Sequence, residues 1–196
     1  MASRGERDWI EDIDLQYEKR PIPGYYSLVD GSVTVDRILS DGDLLCLEPG
    51  ITIQVIGVPG HSRESLCFYY REQKILFTGD SIPEPSDALI YEDSHASEET
   101  LKRLELLEEV DMYCPAWDKV YDRRTGIAMI HEGLSRISKL RRCTEGYRGR
   151  MGEESTHRLF ELICEESNMA EYKKNPLFMR SVMSDLSRLN QGNLRD

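Results

Sequence analysis

The chain predicts an α/β (α+β) fold, a half-sandwich of strands and helices followed by further C-terminal helices. Three observations carry that expectation. Residues 51–78 hold three strand-like runs divided by turn residues, residues 101–137 carry apolar side chains at helical spacing, and the stretch beyond 153 holds two amphipathic segments.

The first 31 residues contain no long apolar run. Trp9-Ile10 and Tyr25-Tyr26 sit among charges, and Pro21-Ile22-Pro23-Gly24 reads as an extended or turning connector, so 1–31 is expected to be loop and short helix rather than a βαβ unit. A half-domain is expected over 32–142. Within it Ile51, Ile53 and Val55 alternate with polar residues and run on into Ile56 and Val58, the pattern of a strand with a buried face, which Pro59-Gly60 stops. Leu66–Tyr70 and Lys74–Thr78 follow as a hairpin broken at Arg71-Glu72-Gln73, and Gly79 closes the third run. Ser97 is a candidate N-cap for a helix carrying Leu101, Leu104, Leu107 and Val110, which leads into a short strand from Asp111 to Cys114. A longer helix starts near Thr125, with Ile127, Ile130, Leu134 and Ile137 on one face. Glycines 146, 149 and 152 among mixed charges mark a linker over 143–152. In the last segment, 153–196, one helix carries Leu159, Phe160 and Ile163; a second opens at Asn175-Pro176 and carries Phe178, Val182, Leu186 and Leu189.

Composition narrows the function. A net charge of −11 argues against nucleic acid or an anionic membrane as the main partner, because phosphate contacts need a basic surface. Five widely spaced cysteines with no C-x-x-C pair indicate neither a disulfide framework nor a zinc finger, and Cys46, Cys67 and Cys114 are expected to be small buried hydrophobes in strands. With no secretory leader pattern and no membrane-spanning run, the expected location is the cytoplasm. No phosphate-loop pattern accompanies the glycines at 57, 60 and 79.

The chemistry gathers at two strand ends. His61 and Asp80 each follow a strand-like run at a glycine-marked turn, where rigid backbone holds an imidazole and a carboxylate, donors that suit a borderline cation such as zinc. They are two donors where catalytic zinc usually takes three from the protein. The structural alternative is that His61 is a hydrogen-bonded loop residue and Asp80 a turn cap.

The segments PGHSRES (59–65) and ILFTGD (75–80), with the Leu39-Ser40-Asp41-Gly42-Asp43 turn upstream and Asp111–Pro115 downstream, resemble the second half of the metallo-β-lactamase superfamily over roughly residues 30–142. The resemblance implies part of an αββα sandwich with a metal site at one edge. It also implies His61 and Asp80 as ligands of zinc or iron, and hydrolysis of an ester, thioester, lactam or phosphoester by metal-bound hydroxide. The HxHxDH motif that supplies the family's other ligands has no counterpart among His61, His95, His131 and His157, and Trp117 stands where the family's last histidine turn would be. Glu64 replaces a loop glycine of the motif. Glu64, Cys114 and His95 are therefore candidates for further donors, each with a plainer reading: exposed carboxylate, buried thiol and solvated loop histidine.

A half-sandwich leaves one sheet face, with Ile51, Ile53, Val55, Leu66, Phe68 and Leu76, without a cover. At roughly 25 cal/mol per Å² of wet apolar surface that deficit rivals the stability of a domain, so a partner is expected: a second copy, or a complementary half carrying HxHxDH. Three functions stay open: a metal-dependent hydrolase or part of one, a noncatalytic binding or dimeric scaffold, and a fragment with no separate role.

Overall fold

The computed structural model describes residues 1–116, 119–150 and 154–191. Strand β1 (Ala2–Ser3) leads into helices α1 (Arg4–Glu11), α2 (Ile13–Lys19) and α3 (Tyr25–Leu28), then β2 (Ile38–Leu39), β3 (Leu44–Glu48), β4 (Ile51–Gly57), β5 (Leu66–Tyr70) and β6 (Ile75–Gly79). Helix α4 (Ser94–Glu105), β7 (Met112–Pro115), β8 (Tyr121–Asp122), α5 (Arg123–Glu145), α6 (Thr156–Glu166) and α7 (Pro176–Gln191) complete the order. Strands β3 to β8 form one six-stranded sheet in sequence order. All its pairs are antiparallel except β6–β7, whose crossover runs through α4, as a parallel connection requires.

The N-terminal segment departs from expectation. Ala2 and Ser3 pair in parallel with Ile38 and Leu39, so 1–39 is a small strand–helices–strand unit rather than loop with a short helix. Its order comes from polar contacts that no apolar periodicity announces. Asp12 caps α2 by accepting from the Asp14 and Leu15 amides, and Glu11 accepts from Val35. The Tyr25 hydroxyl donates to the Ile13 carbonyl and lies 2.6 Å from Gln16 Oε1.

Register decides which apolar side chains share a face. Leu76 pairs with Tyr69 and Tyr113; all three are buried against the helices, as are Ile56 and Cys67. The expectation that Leu76 belongs to the uncovered face is therefore corrected: it sits one residue out of phase with Phe68 and Phe77, which pair with each other on the opposite side. That opposite face carries Ile53, Leu66 and Phe68 around a small buried cluster of Leu39, Leu45 and Val55, while Phe77 and Met112 are 44% and 39% exposed. Cys46 is exposed, Cys114 half-buried and Cys67 buried, so the uniform burial expected of these three holds only for Cys67.

One core joins the sheet to the helices. It includes Leu101 and Leu104 of α4, Ile130, Ile137 and Leu140 of α5, Leu159, Phe160 and Ile163 of α6, and Phe178, Val182 and Leu186 of α7. Helix α5 runs through Cys143 and Thr144, both buried, beyond the expected start of the linker, because the Thr144 hydroxyl bonds back to the Leu140 carbonyl and the apolar stripe continues. Gly152 lies outside the described residues, as do Met151 and the side chain of Leu189. None of the described helices is long and apolar enough to cross a membrane.

Candidate functional site

Strands β4 and β6 both run antiparallel to β5 between them, so their C-terminal ends meet the same edge of the sheet. His61 lies four residues past β4 and Asp80 directly past β6. Two strand spacings, roughly 10 Å, separate the ends, and the turn after β4 must fold back to close that gap.

Gly60 makes the turn possible. Its φ is +133°, and a Cβ there would stand 2.4 Å from Ser97 Oγ and 2.5 Å from Ser97 N, so only glycine lets the backbone rest on the first turn of α4. The Gly60 carbonyl accepts from the amides of Glu92 and Asp93, the Thr100 hydroxyl donates to Pro59 O at 2.7 Å, and Arg103 Nη1 donates to Gly57 O at 3.0 Å. Helix α4 and the two residues before it thus hold the loop at three carbonyls. Its N-cap is Asp93 rather than the expected Ser97: Asp93 Oδ1 accepts from the His95 and Ala96 amides, and the helix begins at Ser94.

So anchored, His61 presents its two nitrogens to different surroundings. Nδ1 is 3.0 Å from the Ile90 carbonyl, a contact that requires the proton on Nδ1, and Nε2 faces Asp80 Oδ2 at 3.7 Å. Burial lowers the imidazole's basicity; the nearby Asp80 carboxylate raises it but only partly offsets burial, and the Arg20 guanidinium lowers it further. The neutral ring with a free Nε2 lone pair is the form that binds a metal.

The other candidates lie apart from this pair. Glu64 Oε2 accepts from the Gly5 amide at 2.6 Å, and the Glu64 amide donates to Glu6 Oε1, so this carboxylate serves the first turn of α1. Cys114, on β7, lines neither cleft at the pair, and burial pushes its thiol up, away from the thiolate. His95 is exposed in the first turn of α4 rather than in a loop, while the neighbouring Glu92 and Asp93 are engaged by Arg20 and Arg188. His131, exposed on α5, bonds Glu105 at 2.6 Å. His157 is likewise exposed, near Glu161. Trp117 lies outside the described residues. Among the described residues there is no group of three His, Cys, Asp or Glu side chains placed to hold one metal ion. His61 and Asp80 alone therefore do not make a catalytic zinc or iron site.

Sequence reasoning missed Arg20. It ends α2, and its side chain, 19% exposed, reaches His61 and Asp80 from the N-terminal unit. No motif marks it; only the packing of 1–39 over the sheet edge brings it there. Two clefts meet at Arg20, His61 and Asp80. One, of about 370 Å³, lies under α1 and α2 and has a mixed wall, with Trp9, Ile10 and Leu66 beside Glu6, Gln16 and Ser65. The other, of about 220 Å³, also has Ile82, Ile90 and Leu177 in its wall.

A six-stranded sheet with helices packed on one face thus carries a histidine–aspartate pair at the ends of β4 and β6. The chain belongs to the metallo-beta-lactamase superfamily, whose sequence profile matches residues 4–116, thus including the N-terminal helices below the expected limit near residue 30. It is similar to an acyl-coenzyme A thioesterase, MBLAC2, of Gallus gallus, 34% identical over 105 residues that make up 53% of this chain and 37% of that protein. It also resembles an atrochrysone carboxyl ACP thioesterase of Claviceps purpurea, 33% identical over 66 residues, 34% of this chain and 17% of the relative. The chain thus matches little more than a third of these relatives' length at most. Among solved structures, a metallo-beta-lactamase family protein of Thermus thermophilus superposes with a TM-score of 0.69 at 14% identity, covering 97% of this chain and 66% of that one, a likeness of fold alone.

Proposed function

We propose that this chain is the part of a metallo-β-lactamase-fold thioester hydrolase that supplies His61 and Asp80 to a metal centre completed by donors from another polypeptide, a complementary half carrying the HxHxDH ligands. The observation that carries this reading is the 3.7 Å approach of a neutral His61 Nε2 to Asp80 Oδ2 at the ends of β4 and β6, with Nδ1 committed to Ile90. A histidine kept only for packing has no need of a free nitrogen aimed at a carboxylate across a cleft. Among the acyl and phosphoryl esters that the fold accommodates, the thioester is favoured by the relatives, both named as thioesterases. Zinc is the favoured ion because it accepts imidazole and carboxylate together.

The test is zinc titration by calorimetry of the chain alone, of Asp80→Ala and of His61→Ala. A two-donor site binds zinc weakly, with stoichiometry one that either substitution abolishes, and a separately expressed HxHxDH-containing half tightens it by orders of magnitude and brings thioester hydrolysis. Zinc uptake that neither substitution changes sinks the proposal. The missing third donor among the described residues favours a second reading, a noncatalytic scaffold of the same fold. That reading wins where the two halves assemble and bind no metal.

A further inference from the structure

A third cleft, of about 390 Å³, shares Ser65 and Leu66 with the cleft under α1 and α2, so it adjoins the one that holds His61 and Asp80. Ser3, Arg4, Asp41, Arg63 and Glu64 stand in its wall. The acidic members of that set are already engaged. Arg103 Nη2 donates to both Asp41 oxygens, at 2.8 and 3.0 Å, and the Gly57 amide donates to Asp41 Oδ1 at 2.8 Å. Glu64 Oε2 accepts from the Gly5 amide at 2.6 Å. Arg4 and Arg63 are exposed, and among the described residues neither makes a hydrogen bond or an ion pair. Counting Arg103, three guanidinium groups stand there against two carboxylates, a local positive excess in a chain whose net charge is −11.

Ser3 adds an unpaired hydroxyl. It is the N-cap of α1, where a serine oxygen ordinarily accepts from the amide two or three residues on. Glu64 holds the Gly5 amide instead, and Ser3, only 5% exposed, makes no side-chain hydrogen bond among the described residues. A covered hydroxyl and two uncommitted guanidinium groups on one cleft are matched by an oxyanion, and the planar fork of arginine suits the oxygens of a phosphate.

We propose that this cleft binds the phosphate of a phosphopantetheinyl thioester, the arm that carries acyl groups on coenzyme A and on acyl carrier proteins alike. Arg4 and Arg63 donate to the phosphate oxygens, and so does the Ser3 hydroxyl. The ligand class rests on the thioester reading above. Position agrees with it: the arm holds its phosphate at the end remote from the acyl sulfur, so the phosphate belongs beside the His61–Asp80 pair rather than on it, and the wall at Ser65 and Leu66 is common to both clefts.

The experiment compares 4′-phosphopantetheine, pantetheine, coenzyme A and inorganic phosphate by calorimetry on the full chain without metal. 4′-Phosphopantetheine is expected to bind about tenfold more tightly than pantetheine, with a margin that added salt narrows. Arg4→Gln and Arg63→Gln each cut that margin about threefold, the double substitution removes it, and Ser3→Ala reduces it, with thermal melts showing every variant folded. Coenzyme A bound as tightly as 4′-phosphopantetheine means that the shared phosphate alone is read; coenzyme A bound more tightly assigns the nucleotide carrier. Equal affinity for pantetheine and 4′-phosphopantetheine overturns the proposal, as does a phosphate preference that survives the double substitution, inorganic phosphate bound as tightly as the whole arm, or no binding by any probe. Zinc plays no part in this readout. Phosphopantetheine bound by a chain that never takes zinc keeps the subsite and removes the hydrolase, whereas zinc bound at His61 with no preference for the phosphorylated arm does the reverse.

Discussion

The two faces of the β3–β8 sheet obey the same alternation and have opposite fates. On one, Ile56, Cys67, Tyr69, Leu76 and Tyr113 disappear under the helical layer. On the other, Ile53, Leu66 and Phe68 stay half-covered and Phe77 and Met112 reach solvent. Adjacent residues of one strand, Leu76 and Phe77, thus differ in exposure by 0% against 44%. The helical layer thus seals one face, while the other is covered only around Leu39, Leu45 and Val55 and leaves Phe77 and Met112 partly in water.

Truncating both neighbours separates the two faces by the largest margin. Leu76→Ala removes a side chain from the packed core and is expected to cost about 2–5 kcal/mol in urea unfolding, whereas Phe77→Ala is expected to cost less than about 1 kcal/mol. Equal losses would mean that the open face is as tightly packed as the closed one.

Gly60→Ala comes next. It demands a positive φ of an alanine and drives its Cβ into the Ser97 backbone, so a loss of about 1–3 kcal/mol is expected, together with weaker zinc binding because the His61 turn is lifted off α4. An alanine variant that keeps full stability and zinc affinity would show that α4 does not fix the loop.

What the sequence told, and what it withheld, follows the same division. Period-two runs and their glycine stops gave β4, β5, β6 and the ends that carry His61 and Asp80, because strand alternation and turn chemistry are local. The stripe of α5 was equally legible. The phase of Leu76 was not, since an apolar run of Ile75, Leu76 and Phe77 has no polar residue to mark a face; only pairing with Tyr69 and Tyr113 settles it. Nor were the N-terminal unit and Arg20, whose placement depends on hydrogen bonds that the Glu11, Asp12 and Glu64 carboxylates accept from the amides of Val35, of Asp14 and Leu15, and of Gly5. Asp93 outcompeted Ser97 as a cap because its carboxylate meets two amides at 3.0 Å, and Ser97 is already wedged against Gly60.

Under the closed face, the buried Tyr91–Asp185 contact ties the loop before α4 to α7, with the Tyr91 hydroxyl donating to Asp185 Oδ2 at 2.8 Å. Burial raises the Asp185 carboxyl above its usual range, and hydrogen bonds from Ser94 and Tyr91 only partly oppose it. A folded-state pKa above the unfolded one means that this group favours folding when protonated, below about pH 4, and that its contribution declines as pH rises through the folded value. Asp185→Asn is therefore expected to flatten that part of the stability–pH curve and to leave stability at pH 7 unchanged or raised by about 1 kcal/mol. A steeper loss with rising pH in the variant would reverse the sign and show that Asp185 is held as a stabilising anion. Tyr91→Phe, by contrast, leaves a buried carboxylate short of a donor, and costs about 1–3 kcal/mol in the same measurement.

The smallest expected change in stability tells most about the open face. Phe77→Lys and Met112→Lys place charges on half-exposed positions and are expected to shift stability by no more than about 0.5 kcal/mol, since each stem can lie along the sheet with its ammonium in water. Their effect on association depends on which layer covers the face. A second copy would bury both lysines against their own symmetry mates, and charge burial of that kind dissociates a dimer outright, halving the mass seen by light scattering. A complementary half leaves this chain monomeric on its own. Mass then stays constant across wild type and both variants, and the substitutions weaken only capture of the HxHxDH-bearing partner. The net charge of −11, which two copies would double at close range, weighs against the first outcome.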